Sequence, residues 1–289
     1  MRSLFVAVVA SAGVLATVGA EAAGKPRVPR LERIVVVVFE NKDFGQVIGS
    51  PSAPTFNAMA RRYALFRRYY AVARPSLPNY LAMISGSTQG LTATCTQCVF
   101  DDRNLADTIE ASGRTWKAYL EGIPLRGYTG AQWGRYVKRH NPFPYFKSVV
   151  NRPARLRRTV PYAEFGQDLR RGRLPDFSFV VPDLCNGMHD CPVATGDAWL
   201  QKFLPPLLRS RQLKGGVVFI TFDEASHGDD RGGGGHIATI AVGPAVLRSV
   251  KSNTGINHYG LLRTIEDAWG LPRLGRSATA NAATGIWRK

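Results

Sequence analysis

The chain has 289 residues, with 38 Lys and Arg against 21 Asp and Glu, and so carries a net charge of +17. Apolar residues at 45% and charged residues at 20% give it the composition of a folded globular chain rather than a disordered one. No apolar run beyond the N-terminus approaches the roughly 20 residues that span a bilayer, which excludes a multi-span membrane protein. The basic excess leaves nucleic acid, anionic lipid and phosphorylated substrates as partner classes to be told apart.

Residues 1–22 read as a secretory signal peptide. Arg2 supplies the positive flank, Leu4 to Val18 is almost wholly apolar or small, and Ala20-Glu21-Ala22 offers a small-x-small cleavage site. An uncleaved anchor is the alternative, but the segment is short and weakly flanked for one. Residues 23–32, with Pro26 and Pro29, form a flexible lead-in, and residues 33–289 form a single domain. Export places the mature chain outside the cytoplasm, secreted or periplasmic.

The mature chain opens with a continuous β-branched run, Arg33 to Phe39, that stops at Glu40-Asn41-Lys42-Asp43. It lacks the alternation of a half-exposed strand, so both faces are expected to be buried, as in the middle of a parallel sheet. A helical pattern follows over Thr55 to Tyr63, then a proline-bracketed turn, Ala73 to Tyr80, that holds Ser76 and leads into a helix. Further helices are expected at Asn104 to Ala111, Asp197 to Leu208 and Tyr259 to Trp269, the last stopped by Gly270-Leu271-Pro272. Strands are expected at Phe177 to Val181, Gly216 to Phe222 and Ile237 to Val242. Strands alternating with helices predict an α/β fold with a mostly parallel central sheet and helices on both faces. Sites in such sheets gather beyond the carboxyl ends of the strands, where Glu40, Asp183, Asp223 and Glu224 fall.

Four cysteines lie in two local pairs, Cys95 with Cys98 and Cys185 with Cys191. An oxidising compartment favours two disulfides over a zinc site built from all four thiolates, although four cysteines permit other pairings. The second pair brackets His189-Asp190.

The chemistry-bearing residues are few. The histidines are His140, His189, His227, His236 and His258, and none sits in the middle of an apolar stretch. Strand-end carboxylates with nearby imidazoles suit a hard or borderline divalent ion such as Zn²⁺, Mn²⁺, Mg²⁺ or Ca²⁺. Pairing of the acids with the abundant arginines is the plainer alternative, but it does not explain their placement at strand ends. Ser76 at a helix N-terminus lies among backbone N–H groups that favour anions, so it could attack phosphorus while Asn79 holds phosphoryl oxygens. A simple N-cap role is its structural alternative. A serine-triad hydrolase would carry Gly-x-Ser-x-Gly, which is absent from the sequence.

The segment from Phe39 to Phe44, Glu-Asn-Lys-Asp at its centre, resembles the opening motif of the phosphoesterase family within the alkaline phosphatase superfamily. Pro75-Ser76-Leu77-Pro78-Asn79-Tyr80 is similar to a motif of that family's acid phosphatase branch. Lys138-Arg139-His140-Asn141, Asn186-Gly187-Met188-His189-Asp190, Gly196-Asp197, Asp223-Glu224 and His258-Tyr259 follow in the branch's order. The resemblance implies an alkaline-phosphatase-like fold and a secreted, metal-dependent phosphomonoesterase that passes through a phosphoseryl intermediate. It implies Ser76 as nucleophile, Glu40, Asn41, Ser76, Asp183, Asp223, Glu224 and His258 at the metal, and His189 and His140 as catalytic histidines. Asp190 and His236 are weaker candidates.

The branch includes secreted phosphatases acting on phosphatidylinositol 3-phosphate. Expected partners are therefore a phosphorylated small molecule or phosphoinositide headgroup, with peripheral contact to anionic membrane, no nucleic acid and a monomeric state. Two rival functions remain. A phospholipase C would cleave a diester with the same metal chemistry, and a basic secreted binding protein would use Arg61-Arg62, Arg67-Arg68, Arg155 to Arg158 and Arg170 to Arg173 on nucleic acid or an anionic cell surface.

Overall fold

The computed structural model describes residue 1 and residues 28–226 and 228–288. The expected signal peptide, the start of the lead-in and His227 lie outside the described residues.

Eight strands form one sheet. In chain order they are β1 (Ile34–Phe39), β2 (Ala64–Phe66), β3 (Trp116–Leu120), β4 (Thr159–Pro161), β5 (Phe177–Val181), β6 (Val217–Phe222), β7 (Thr239–Val242) and β8 (Lys251–Ser252). Across the sheet the order is β8-β2-β7-β6-β1-β5-β3-β4. All six residues of β1 are buried, because parallel neighbours β5 and β6 flank it and side chains cover both faces. Each such apolar side chain contributes about 1.5–3 kcal/mol on burial, which makes β1 the rigid beam from which Glu40 projects.

Only β7 runs against the rest, antiparallel to both β6 and β2. The stretch between β6 and β7 contains no long helix to carry the chain back across the sheet. It returns as a loop, and antiparallel pairing is what such a connection permits. The expected alternation therefore holds for the centre of the sheet and lapses here.

Six longer helices pack around the sheet: α1 (Pro54–Arg62), α2 (Ser76–Ser85), α3 (Leu105–Ala111), α4 (Ala163–Arg170), α5 (Val193–Arg209) and α6 (His258–Trp269). Helix α2 is buried along its whole length and packs on α6, while α1 packs on α5. Gly86 ends α2 in the left-handed region at φ 70°, where a Cβ would stand 1.9 Å from the Leu274 carbonyl oxygen, so only glycine fits. Asn257 caps α6 by accepting from Gly260 N–H at 3.1 Å, and Gly270 closes it in the left-handed conformation. Both local disulfides, Cys95–Cys98 and Cys185–Cys191, are formed.

Candidate active site

Three chain segments converge beyond the carboxyl ends of β1 and β6. The end of β1 delivers Glu40 and Asn41, the end of β6 delivers Asp223 and Glu224, and the first turn of α2 delivers Ser76. Asn41 adopts φ 42°, a left-handed conformation that asparagine tolerates better than most residues. This turns its backbone N–H onto Asp223 Oδ1 at 3.1 Å and ties the two strand ends together.

Ser76 is the first residue of α2 and is nearly fully buried. Its hydroxyl donates to Glu224 Oε1 at 3.0 Å. Glu40 is wholly buried, receives the Tyr80 hydroxyl on Oε1, and has His140 Nε2 3.2 Å from Oε2, within ion-pair range but not aligned as a hydrogen bond. The His140 ring stacks on Tyr80 at 5.3 Å.

The electrostatics follow from gathering acids away from water. Burial, then the Asp223 charge, pushes the Glu40 carboxyl well above the usual carboxylate range. Burial raises Asp223 as well, although N–H and hydroxyl donors around it oppose the shift. Glu224 is pushed up to about 8, first by burial and then by Asp223. Burial also lowers the His140 imidazole well below its ordinary value, with Arg139 and His189 adding to the effect. Lys42 is half-buried beside the acids and donates to the Met188 carbonyl at 2.7 Å, its own affinity for protons reduced mainly by burial.

Whether this site suits a divalent ion can be judged from its unpaired atoms. Glu40 Oε2, Asn41 Oδ1, Asp223 Oδ2 and Glu224 Oε2 are all buried with no hydrogen-bond partner. Orphaned acceptors of this kind are costly unless a cation or proton meets them. Oxygen donors from carboxylate, amide and hydroxyl are the set that hard divalent ions take. Among the described residues no three His, Cys, Asp or Glu side chains already converge closely enough to hold an ion. The fit is one of donor chemistry and unpaired acceptors.

The other residues singled out from sequence have different surroundings. Asn79 is spent on its own turn: Oδ1 accepts from Val72 and Ala73 N–H at 3.0 and 3.1 Å, and Nδ2 donates to the Ala73 carbonyl at 2.7 Å. It supports the Ser76 turn instead of reaching for a phosphoryl group. His258 uses both ring nitrogens, Nε2 against the Asp223 carbonyl at 2.6 Å and Nδ1 against the Tyr69 hydroxyl at 3.2 Å, so it braces the end of β6. Asp183 Oδ1 accepts from Cys185 and Asn186 N–H at 2.9 and 2.8 Å and so shapes the disulfide loop. His236 stacks on Phe44 at 4.4 Å and bonds the Arg67 carbonyl, a packing role.

His189 is partly exposed, held through Nδ1 by Asp190 Oδ1 at 2.6 Å, with Arg139 Nη2 3.4 Å from Nε2. The sequence reading did not single out Tyr80, Lys42, Arg139 or Arg74. Each lies within or beside a motif already noted, and that adjacency was the available signal. Arg74 donates to the carbonyls of Ala225, Ser226 and Asp229 and stands 3.7 Å from Glu224 Oε2, clamping the loop after β6.

Comparison with known proteins places the chain in a family. A family model described as Phosphoesterase family matches residues 50–272. The chain is 35% identical over 260 residues to the phosphatidylinositol-3-phosphatase of Mycobacterium tuberculosis, covering 90% of this chain and 84% of that protein. It is 31% identical over 257 residues to the phosphate-repressible acid phosphatase of Penicillium chrysogenum, covering 85% of this chain but only 60% of the fungal protein. In fold it is similar to a protein of the alkaline phosphatase superfamily from Vibrio parahaemolyticus, with a TM-score of 0.62, 15% identity, and coverage of 89% and 72% of the two chains. With most of its length inside the family model and a relative of that similarity, the chain belongs to the Phosphoesterase family.

Proposed function

We propose that the protein is an extracytoplasmic phosphoric monoester hydrolase in which Ser76 is the nucleophile. The observation that carries this reading is the Ser76 hydroxyl, placed at the first residue of α2 and bonded to Glu224, beside the unpaired oxygens of Glu40, Asn41 and Asp223. The two relatives named as phosphatases support the monoester class. The two disulfides support an oxidising compartment.

Glu40, Asn41, Asp223 and Glu224, with Ser76, would hold a divalent ion. Such an ion supplies Lewis-acid stabilisation of the serine oxygen and the phosphoryl oxygens. Ser76 Oγ attacks phosphorus while its proton passes to Glu224 Oε1, the atom it already faces. The bond from phosphorus to the leaving oxygen breaks, and that oxygen takes a proton from His189, which Asp190 orients through Nδ1. Arg139, beside His189, meets the phosphoryl charge. Water then attacks the phosphoserine and gives a proton to His189, the bond from phosphorus to the Ser76 oxygen breaks, that oxygen recovers its proton from Glu224, and phosphate departs.

The buried Tyr80–Glu40–His140 stack holds Glu40 in one orientation and keeps water from its far side. Asn79 and Arg74 fix the segments on either side of Ser76 and Glu224. The overall charge of +17 draws anionic esters toward the site, and phosphatidylinositol 3-phosphate is the specific substrate suggested by the mycobacterial relative.

The test is phosphate release from p-nitrophenyl phosphate by purified protein, beside its diester analogue bis(p-nitrophenyl) phosphate. Preference for the monoester, lost in Ser76→Ala, is the expected result. Preference for the diester would replace this reading with phosphodiesterase chemistry.

A further inference from the structure

A cavity of about 490 Å³ lies between α1, α5 and the segment after β7, at the opposite end of the sheet from the active site. Its position follows from strand register. Val242, just before the cavity-lining Gly243 and Pro244, pairs with Val218 near the start of β6, whereas the active site lies beyond Phe222 at that strand's end. The volume falls within the roughly 300–1,000 Å³ of typical small-molecule sites.

Its lining has two characters. Met59, Leu204 and Leu208 give it an apolar floor, and Arg62, Arg209, Arg248 and Arg288 stand around its rim. Among the described residues none of these four guanidinium groups is paired with a carboxylate, and Arg288 alone is partly committed, its Nε donating to the Val246 carbonyl at 3.0 Å. Arg62 and Arg248 both lie over the Tyr63 ring, at 5.5 and 4.9 Å from its centroid, which gathers two of the cations at one edge of the cavity. Like charges held together without counter-ions favour an anion between them, and guanidinium forks match phosphate oxygens in shape.

We propose that this cavity binds a single-chain lipid with a phosphate head, the chain lying on the apolar floor and the head among the four arginines. The apolar lining and the uncompensated charge are both used by such a ligand. Inorganic phosphate would leave the floor exposed, and a neutral lipid would leave the arginines unpaired. Because the cavity is at the far end of the sheet, the bound lipid is not the molecule being hydrolysed, and the inference does not rest on the catalytic reading.

Isothermal titration of the purified protein with dodecylphosphonate, below its micelle concentration, tests this. The carbon–phosphorus bond removes ester hydrolysis from the readout. With the active site occupied by orthovanadate, saturable one-to-one binding is expected in the wild type and equally in Ser76→Ala. The exposed substitutions Arg62→Gln and Arg248→Gln together are expected to weaken it by at least roughly tenfold, on the strength of charge-assisted hydrogen bonds, with the melting temperature unchanged.

Methylphosphonate, which carries the head alone, and dodecyl maltoside, which carries a neutral head, are expected to bind far more weakly. Equal binding of either one would overturn the proposal. So would dodecylphosphonate binding that is lost in Ser76→Ala but kept in the arginine variant, since that would place the ligand in the active site. Binding to phosphatidic acid vesicles without binding to the monomer would also contradict it, by replacing a pocket with a charged membrane surface.

Discussion

Replacing Asn79 with alanine separates a residue that holds the nucleophile's turn from one that touches the phosphoryl group. The side chain is fully buried and satisfies two backbone N–H groups, those of Val72 and Ala73, while donating to the Ala73 carbonyl. Alanine would leave both N–H groups without their acceptor, at about 1–3 kcal/mol each when water cannot replace it. Val72 and Ala73 are themselves only half-buried, so partial rescue by water brings the expected total to about 2–4 kcal/mol. For a domain of this size that corresponds to a fall in melting temperature of roughly 4–8 °C.

Differential scanning calorimetry measures the fall, and steady-state kinetics on p-nitrophenyl phosphate, well below the new melting temperature, measures the catalytic effect. A lower melting temperature with a moderate loss of kcat, as the Ser76 turn loosens, is the expected pairing. A variant that melts like the wild type yet loses turnover by several hundredfold, as removal of a transition-state donor does at roughly 10²–10³, would refute the assignment of Asn79 to the turn.

Treatment with a chelator is expected to abolish phosphatase activity, and a divalent ion to restore it. Asp223→Asn should raise the ion concentration needed for half-restoration at least roughly tenfold, because one anionic ligand becomes neutral; chelator-resistant turnover would remove the metal from the account. His189→Ala should slow hydrolysis of an alkyl phosphate by about 10²–10⁴ while affecting p-nitrophenyl phosphate far less, since nitrophenolate leaves without protonation. Equal losses on both esters would count against His189 as the acid.

Away from the site, burial pushes the Glu266 carboxyl up to about 7, despite donors from Leu274 and Ser277. A carboxyl raised in the folded state binds more protons there than in the unfolded chain. Its contribution to stability is therefore complete below its unfolded pKa and is lost as pH rises through about 7. Melting temperatures across that interval should fall less steeply for Glu266→Gln than for the wild type; parallel slopes would show that this carboxyl is already ionised.

How far the sequence carried the structure depends on where the information lay. Strands β1 and β6 were legible because a long β-branched run with no polar interruption can only be buried on both faces, and the acids at their ends then mark one side of the sheet. Strand β3 was not, since Lys117 interrupts its pattern; the structure explains the lysine by a 2.6 Å ion pair with Asp168 on α4, which also accepts from Tyr119. The reversal of β7 was equally hidden, because strand direction leaves no mark on a hydrophobic pattern.

In the site, Glu40, Asn41, Ser76, Asp223 and Glu224 were named from sequence and are brought together. The histidines were ranked only by the family resemblance, which named His189, His140 and His258 ahead of His236 and could not show what each ring touches. Only packing separates His189, partly exposed with a carboxylate partner, from His258 and His236, whose ring nitrogens are committed to carbonyls and hydroxyls elsewhere. Tyr80 escaped notice because a tyrosine at the start of a buried helix reads as core until its hydroxyl is seen on Glu40.

The serine itself is the point on which the account turns. Protein mixed with p-nitrophenyl phosphate, quenched in acid within the first turnover and digested for peptide mass spectrometry, tests it directly. The account predicts one phosphoryl group on the peptide containing Ser76, absent from Ser76→Ala, and no turnover in that variant. A phosphoryl group trapped on a histidine, or full turnover by Ser76→Ala, would contradict it.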